Sequence, residues 1–158
     1  METMAHQAKT YAFEDFTPGR QFAFGPYIVS AEEIIEFAEE FDPQPWHLDA
    51  QAGKASLLGG LSASGWHICS IQMRMMYDAY IADSTSQGAP SVDYCKWLRP
   101  VLAGDTLGGH TTVMSARPLA SRPGMGVVNF EHQMVNQRGE PVCTSANAAF
   151  FLCREEKP

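Results

Sequence analysis

The chain reads as an α+β protein. Its first half carries a short capped helix and then a long, almost uniformly apolar one. Its second half carries four β-prone segments separated by turn residues. Helices and strands are therefore segregated along the chain rather than alternating, which favours α+β over α/β. A length of 158 residues fits one domain.

Gln21 to Val29 (QFAFGPYIV) is β-prone but interrupted by Gly25-Pro26. Pro donates no ladder hydrogen bond, so a bent or edge strand is expected. Ser30-Ala31-Glu32-Glu33 has the spacing of a capping box. Ile34, Phe37, Ala38 and Phe41 then recur at i, i+3, i+4 and i+7, one face of a helix. Asp42 precedes Pro43, and a residue before Pro avoids the α region, so the helix is predicted to stop there. Asp42 to Asp49 (DPQPWHLD) reads as a loop stiffened by two prolines.

Leu58-Gly59-Gly60-Leu61 is a second breaker, and Ser62 or Ser64 is placed to cap the helix that follows, which is predicted to run to about Ile81. Trp66, Cys69, Met73, Met76 and Tyr80 line one of its faces, and Ile68, Ile71, Met75 and Ala79 much of another. Its polar residues are few: His67, Ser70, Gln72, Arg74 and Asp78. A helix apolar over most of its circumference is expected to be buried on several sides, inside a wrapping sheet. The predicted strands are Ser91–Leu98, Asp105–Ser115, Val127–Asn136 and Pro141–Leu152. Gln137-Arg138-Gly139-Glu140 joins the last two as a hairpin turn, with Gly available for positive φ.

Apolar residues make up 45% of the chain and charged ones 18%, the balance of a globular protein. Eleven basic and 18 acidic residues give a net charge of −7. Without a Lys/Arg run, nucleic-acid binding is disfavoured. No apolar stretch approaches the ~18 residues of a membrane span, and METMAHQAKT at the start has no apolar signal region. Cys69, Cys95, Cys143 and Cys153 form no metal or redox spacing, so free thiols in a cytoplasmic protein are expected. Residues 1–10 and 155–158 are polar and expected to be frayed tails around a domain spanning 11–154. There is no P-loop and no H-E-x-x-H. Gly124-Met125-Gly126 lacks the third Gly of a dinucleotide fingerprint, and Gly60-Leu61-Ser62-Ala63-Ser64 misses the nucleophile elbow. The five His residues are scattered, so no metal site is expected.

The most unusual local text is the loop holding Asp42 and His47. A carboxylate and an imidazole on a stiff loop can hold one water and share its protons, which is general acid–base chemistry. Spacing alone leaves the plain alternative open, because Asp before Pro is a common helix stop and His after Trp can simply pack. At the start of the long helix, Ser64-Gly65-Trp66 sets free N–H groups at a positive dipole end. A thioester carbonyl there would be polarised, with Gly65 permitting close approach. Ordinary capping by Ser64 explains the same residues equally well. The stripe of Met73, Met75 and Met76 reads as core or as an acyl tunnel.

Three ordered blocks then carry a resemblance. The Phe-Asp-x-x-Pro-x-His-x-Asp of residues 41–49 resembles the hydratase motif of MaoC-like dehydratases, the (R)-specific enoyl-CoA hydratases. Leu61-Ser62-Ala63-Ser64-Gly65-Trp66-His67 resembles that family's start to its central helix. Trp97-Leu98-Arg99-Pro100-Val101-Leu102-Ala103-Gly104-Asp105-Thr106-Leu107 resembles its Pro-Val-x-x-Gly-Asp-Thr strand entry. The similarity spans about Phe16 to Cys153. It implies a hotdog fold, a long central helix wrapped by an antiparallel sheet in a single domain, pairing edge to edge into a homodimer or higher homo-oligomer.

The resemblance further implies reversible hydration of trans-2-enoyl-CoA to (R)-3-hydroxyacyl-CoA. Asp42 and His47 would activate water, and the Gly65 N–H would hold the thioester oxygen. Gln44, Trp46, Ser64 and Trp66 would line the substrate pocket. Gln44 stands where the family usually has Asn, and Trp46 is a large residue before the His, so chain-length preference is open. Lys96, Arg99, Arg117 and Arg122 are the candidates for CoA phosphates, though surface solvation accounts for each more simply. The thioester is substrate and no cofactor or metal is expected; an acyl carrier protein thioester is an alternative substrate. The alternative functions are a thioesterase on the same fold and a non-catalytic acyl-CoA-binding subunit.

Overall fold

The computed structural model describes residues 8–155. Strand β1 (Gln21–Ile28) leads into helix α1 (Ala31–Phe41), followed by two short helices, α2 (Pro45–Leu48) and α3 (Ala50–Ala55). Helix α4 (Gly65–Met76) continues into a π-helical turn over Tyr77–Ile81. Strands β2 (Ser91–Trp97), β3 (Thr106–Pro118), β4 (Met125–Val135) and β5 (Pro141–Leu152) complete one five-stranded sheet of order β1-β3-β4-β5-β2. Every pairing is antiparallel.

The local signals act as read. Ser30 caps α1, its hydroxyl accepting from the Glu33 N–H at 3.2 Å, and α1 stops at Phe41 with Asp42 as its C-cap. β1 is an edge strand whose register shifts between Phe24 and Tyr27, around Gly25-Pro26. Gly139 sits at φ +72° in the turn between β4 and β5, closed by Asn136 and Glu140.

Several expectations need correction. The stiff Asp42–Asp49 segment is not a plain loop: Pro45 opens α2, a single helical turn that holds His47. Residues 1–7 and 156–158, expected to belong to the tails, lie outside the described residues. The ends just inside them are tied down, the Lys9 ammonium donating to the Ala82 carbonyl and the Arg154 N–H to Glu14.

The central helix is not covered all round. Ile68, Ile71, Met75 and Met76 face the sheet, but Trp66, Met73 and Tyr77 are 65%, 52% and 48% exposed. Along the edge strand β2, Val92 and Tyr94 are exposed as well. Two of the helix's polar residues are instead buried. Gln72 donates to Ser145 on β5 at 3.1 Å, and His67 packs against α1.

The end of the core far from the α4 N-terminus is aromatic, with Phe16 on Phe151 (4.1 Å between rings) and Phe22 stacked on Tyr80 (4.7 Å). A one-way chain of hydrogen bonds crosses the inner face of the sheet. The Asn147 carbonyl oxygen only accepts, so His132 donates through Nε2 (2.6 Å). Its Nδ1 then accepts from Thr111 (2.9 Å), whose hydroxyl oxygen is 3.2 Å from the Tyr80 hydroxyl. Burial pushes His132 below its ordinary pKa, against a smaller upward pull from Asn147.

Candidate active site

Two chain breaks bring the site together. α1 ends at Asp42 because Pro43 cannot follow in helix, which leaves the carboxylate at the helix C-terminus. Gln44 is the N-cap residue of α2, and the single turn of α2 swings His47 inward to a buried position. Fifteen residues later, the Ser62 carbonyl meets His47 Nδ1 at 2.6 Å. A carbonyl only accepts, so Nδ1 carries a proton, and in the neutral imidazole Nε2 presents its lone pair. That Nε2 lies 3.5 Å from Asp42 Oδ2. Two acceptors facing one another at this spacing suit a water that donates one hydrogen to each.

Asp42 is itself held from two sides. The Ser64 hydroxyl donates to Oδ2 at 2.6 Å and the Gln44 amide to Oδ1 at 2.7 Å. Burial pushes the carboxyl up. The Ser64 and Gln44 hydrogen bonds and the nearby His47 outweigh it, holding Asp42 below the usual carboxylate value.

Ser64 is the N-cap residue of α4, yet its side chain makes no capping bond. Its hydroxyl faces Asp42 instead. The first intrahelical bond runs from the Ile68 N–H to the Ser64 carbonyl, so the N–H groups of Gly65, Trp66 and His67 have no partner within the helix. The serine thus does not cap α4; it couples the carboxylate to the helix terminus.

Gly65 is required for a different contact than expected. A Cβ there would come within 2.5–2.9 Å of the Trp97 indole. Trp97 also meets Trp66 edge to face at 5.5 Å. A cleft of about 380 Å³ opens here, lined by Asp42, His47, Gln44, Gly65 and Arg99 together with Trp46, Trp66 and Trp97. Those are all three tryptophans of the chain.

Of the residues expected from the sequence, Asp42, Gln44, Trp46, His47, Gly65 and Trp66 therefore meet at one cleft, with Ser64 buried behind Asp42. Arg99 stands at its rim, paired to Glu140 at 3.1 Å. The other basic candidates stand elsewhere. Lys96 lies outside the cleft lining on β2, over the Tyr94 ring. Arg117 is near the opposite end of β3 from the site, about 35 Å along the strand from Thr106 at ~3.3 Å per residue, and Arg122 is in the hairpin beyond it. Trp97 and the Ser62 carbonyl were not singled out from sequence as site groups. Trp97 opens the third motif block, and Ser62 lies in the second.

The four cysteines are free. Three come together in a row, Cys69 to Cys95 at 3.6 Å and Cys95 to Cys143 at 3.7 Å between sulfurs. Burial and the neighbouring Cys95 push the Cys69 thiol up to about 11. Among the described residues no group of three or more His, Cys, Asp or Glu is arranged to hold a metal ion, and no helix is long and apolar enough to cross a membrane.

Comparison with known proteins adds the family. A sequence model of the MaoC like domain matches residues 14–134. The MaoC-like dehydratase of Rhodospirillum rubrum superposes with a TM-score of 0.82 at 36% identity, over 92% of this chain and 99% of that one. An unliganded R-hydratase of Pseudomonas aeruginosa superposes with a TM-score of 0.73 over 96% of both chains; at 18% identity the likeness is one of fold. The uncharacterized protein YdeM of Bacillus subtilis is 26% identical over 126 residues, 79% of this chain and 87% of that protein. The fold is the hotdog that the three motif blocks imply.

Proposed function

The chain belongs to the MaoC-like dehydratase family, and from that premise we propose that it hydrates trans-2-enoyl thioesters reversibly, coenzyme A esters first among them, to (R)-3-hydroxyacyl products. The observation that carries the reading is the pair of facing acceptors, His47 Nε2 and Asp42 Oδ2, 3.5 Å apart beside an uncapped helix terminus. A water held by both attacks Cβ of the enoyl group. His47 takes its proton as the C–O bond forms, and the proton is returned to Cα on the same face, so the addition is syn. Asp42 orients the water and stabilises the imidazolium that forms in between. Negative charge gathers on the thioester oxygen as the Cα–Cβ π electrons shift. The Gly65 N–H, at the positive end of α4, is the donor for that oxygen.

The reaction so written needs no metal or organic cofactor. The Cα proton returns by the path the water proton took, so the same groups serve dehydration. Arg99 at the rim is the candidate for a CoA phosphate, in exchange for Glu140. The working form in this reading is a homodimer in the cytoplasm. The exposed apolar row of Trp66 and Met73 on α4 and Tyr77 in the turn after it, continued by Val92 and Tyr94 on β2, supports pairing, since an uncovered apolar edge invites it. Four unpaired thiols suit a reducing compartment.

Incubation with crotonyl-CoA tests the activity. Loss of enoyl absorbance without release of free thiol, and an (R) product by chiral analysis, is the expected result. Thiol release would mean a thioesterase instead. Binding with no turnover of any enoyl thioester would mean a non-catalytic acyl-CoA-binding subunit.

A further inference from the structure

The first turn of α4 carries a second imidazole that the hydration scheme leaves idle. His67 is almost completely buried between α4 and α1. Its ring lies flat on Phe37, 4.7 Å between centroids with planes 8° apart. Its Nε2 is 3.3 Å from Glu33 Oε1. That carboxylate is fixed in turn, accepting from the Tyr27 hydroxyl at 3.0 Å and from the Ser30 hydroxyl at 3.3 Å. His67 Nδ1 has no hydrogen-bond partner, and it is the only buried side-chain nitrogen or oxygen among the described residues of which this is so.

A residue selected for packing alone would not keep an orphaned ring nitrogen in the interior, where leaving it unpaired is unfavourable. Phe at this position would stack on Phe37 without that cost. What imidazole adds is the contact with Glu33. Phe37 and Glu33 both lie on α1, the helix that ends at Asp42. His67 is one turn past Ser64, whose hydroxyl holds the Asp42 carboxylate at 2.6 Å. The two helices are thus joined twice, once by Ser64 on Asp42 and once by His67 on Phe37 and Glu33. The second joint fixes the angle at which the first is made. Phe37 is five residues from Asp42, about 7.5 Å along the helix, so a small rotation at His67 reaches the carboxylate almost undiminished.

We infer that His67 is a positioning residue for the Asp42–His47 pair, clasping α4 to α1 so that the Ser64 hydroxyl meets the Asp42 carboxylate. For the rate, the inference rests on the hydration reading; for the geometry it does not. Glu33 on α1, Tyr27 on β1 and His47 on α2 are the titratable groups around it.

His67→Phe keeps the stack and loses the Glu33 contact. His67→Gln loses the stack and keeps an amide N–H for Glu33. With crotonyl-CoA, His67→Phe is expected to lower kcat about tenfold or more with KM changed less than about twofold, because the cleft is untouched while its reacting groups are misplaced. His67→Gln should recover most of that loss. Titration of the Asp42 carboxyl by carbon NMR gives an answer independent of turnover. The midpoint should rise in His67→Phe, as the Ser64 bond that holds it low loosens, and should stay low in His67→Gln. Absence of hydration by the wild type would remove the functional reading and leave this titration to decide. An Asp42 midpoint unmoved in His67→Phe overturns the inference, whatever the rate does.

Discussion

Asp42→Asn and His47→Gln probe the reaction with little disturbance of the fold. In Asp42→Asn the side-chain oxygen still accepts from Gln44, and the new N–H donates to the Ser64 hydroxyl, which rotates to receive it; both partners of the carboxylate at 2.6 and 2.7 Å are retained. In His47→Gln the amide N–H can replace the Nδ1–H that meets the Ser62 carbonyl at 2.6 Å. Asp42→Asn takes the carboxylate acceptor from the water, His47→Gln takes away the titratable base, and both leave the scaffold nearly satisfied. A general acid–base group contributes about 10²- to 10⁴-fold, so each variant should lose about 3 to 5 kcal/mol of transition-state stabilisation. Independent groups would multiply those losses. Because Nε2 and Oδ2 are 3.5 Å apart and act on the same water, the double variant should be hardly slower than the slower single one. Initial rates with crotonyl-CoA, from absorbance at saturating substrate, give the three values, with circular dichroism checking that each variant is folded. Wild-type turnover in either single variant, or a multiplicative loss in the double one, would refute a shared water.

Further expectations follow from other parts of the molecule. Gly65→Ala places a methyl 2.5–2.9 Å from the Trp97 indole; it should displace that ring, change tryptophan fluorescence and lower activity, and an unchanged spectrum with full activity would contradict the packing. His132 is held below its ordinary value of 6.5 by burial, so as pH falls below about 6.5 the unfolded chain binds a proton before the folded one does. Its contribution to stability is therefore present above that pH and is lost below it, by at most about 1.4 kcal/mol per pH unit, until the folded value is reached. Urea titrations from pH 7.5 to 5 should show that slope in the wild type and a shallower one in His132→Gln; equal slopes would count against it. Replacing all four cysteines by Ser or Ala should leave turnover largely intact, and its loss in a folded variant would give the thiol row of Cys69, Cys95 and Cys143 a role. Light scattering at micromolar concentration should find at least two chains together; a single-chain species would leave the exposed row from Trp66 to Tyr77 without its expected cover.

The sequence by itself determined those parts of the protein whose causes lie within a few residues. Ser30 and Glu33 are three apart, and they cap α1. Asp42 is followed by a proline, and the helix stops. Gly139 sits where a turn needs positive φ. The catalytic candidates Asp42 and His47 are five apart on a segment that two prolines stiffen, and the motif blocks around them were enough to imply both family and fold. The tertiary structure alone decided everything that depends on partners distant along the chain. Ser64 could cap α4 or bond Asp42, and only the approach of α1, 22 residues earlier, turns its hydroxyl to the carboxylate. The proton on His47 is fixed by a carbonyl 15 residues away. Gly65 is small because Trp97 arrives from β2. His67 and Gln72 look like solvent-facing positions on an isolated helix, yet α1 and β5 cover them. Four basic residues are equivalent as letters, and the sheet carries Arg117 and Arg122 to the far end while leaving Arg99 at the cleft. Capping, turn and stop signals act through the backbone over one turn. A side chain's hydrogen-bond partner, by contrast, is chosen by whichever group folding brings within about 3 Å.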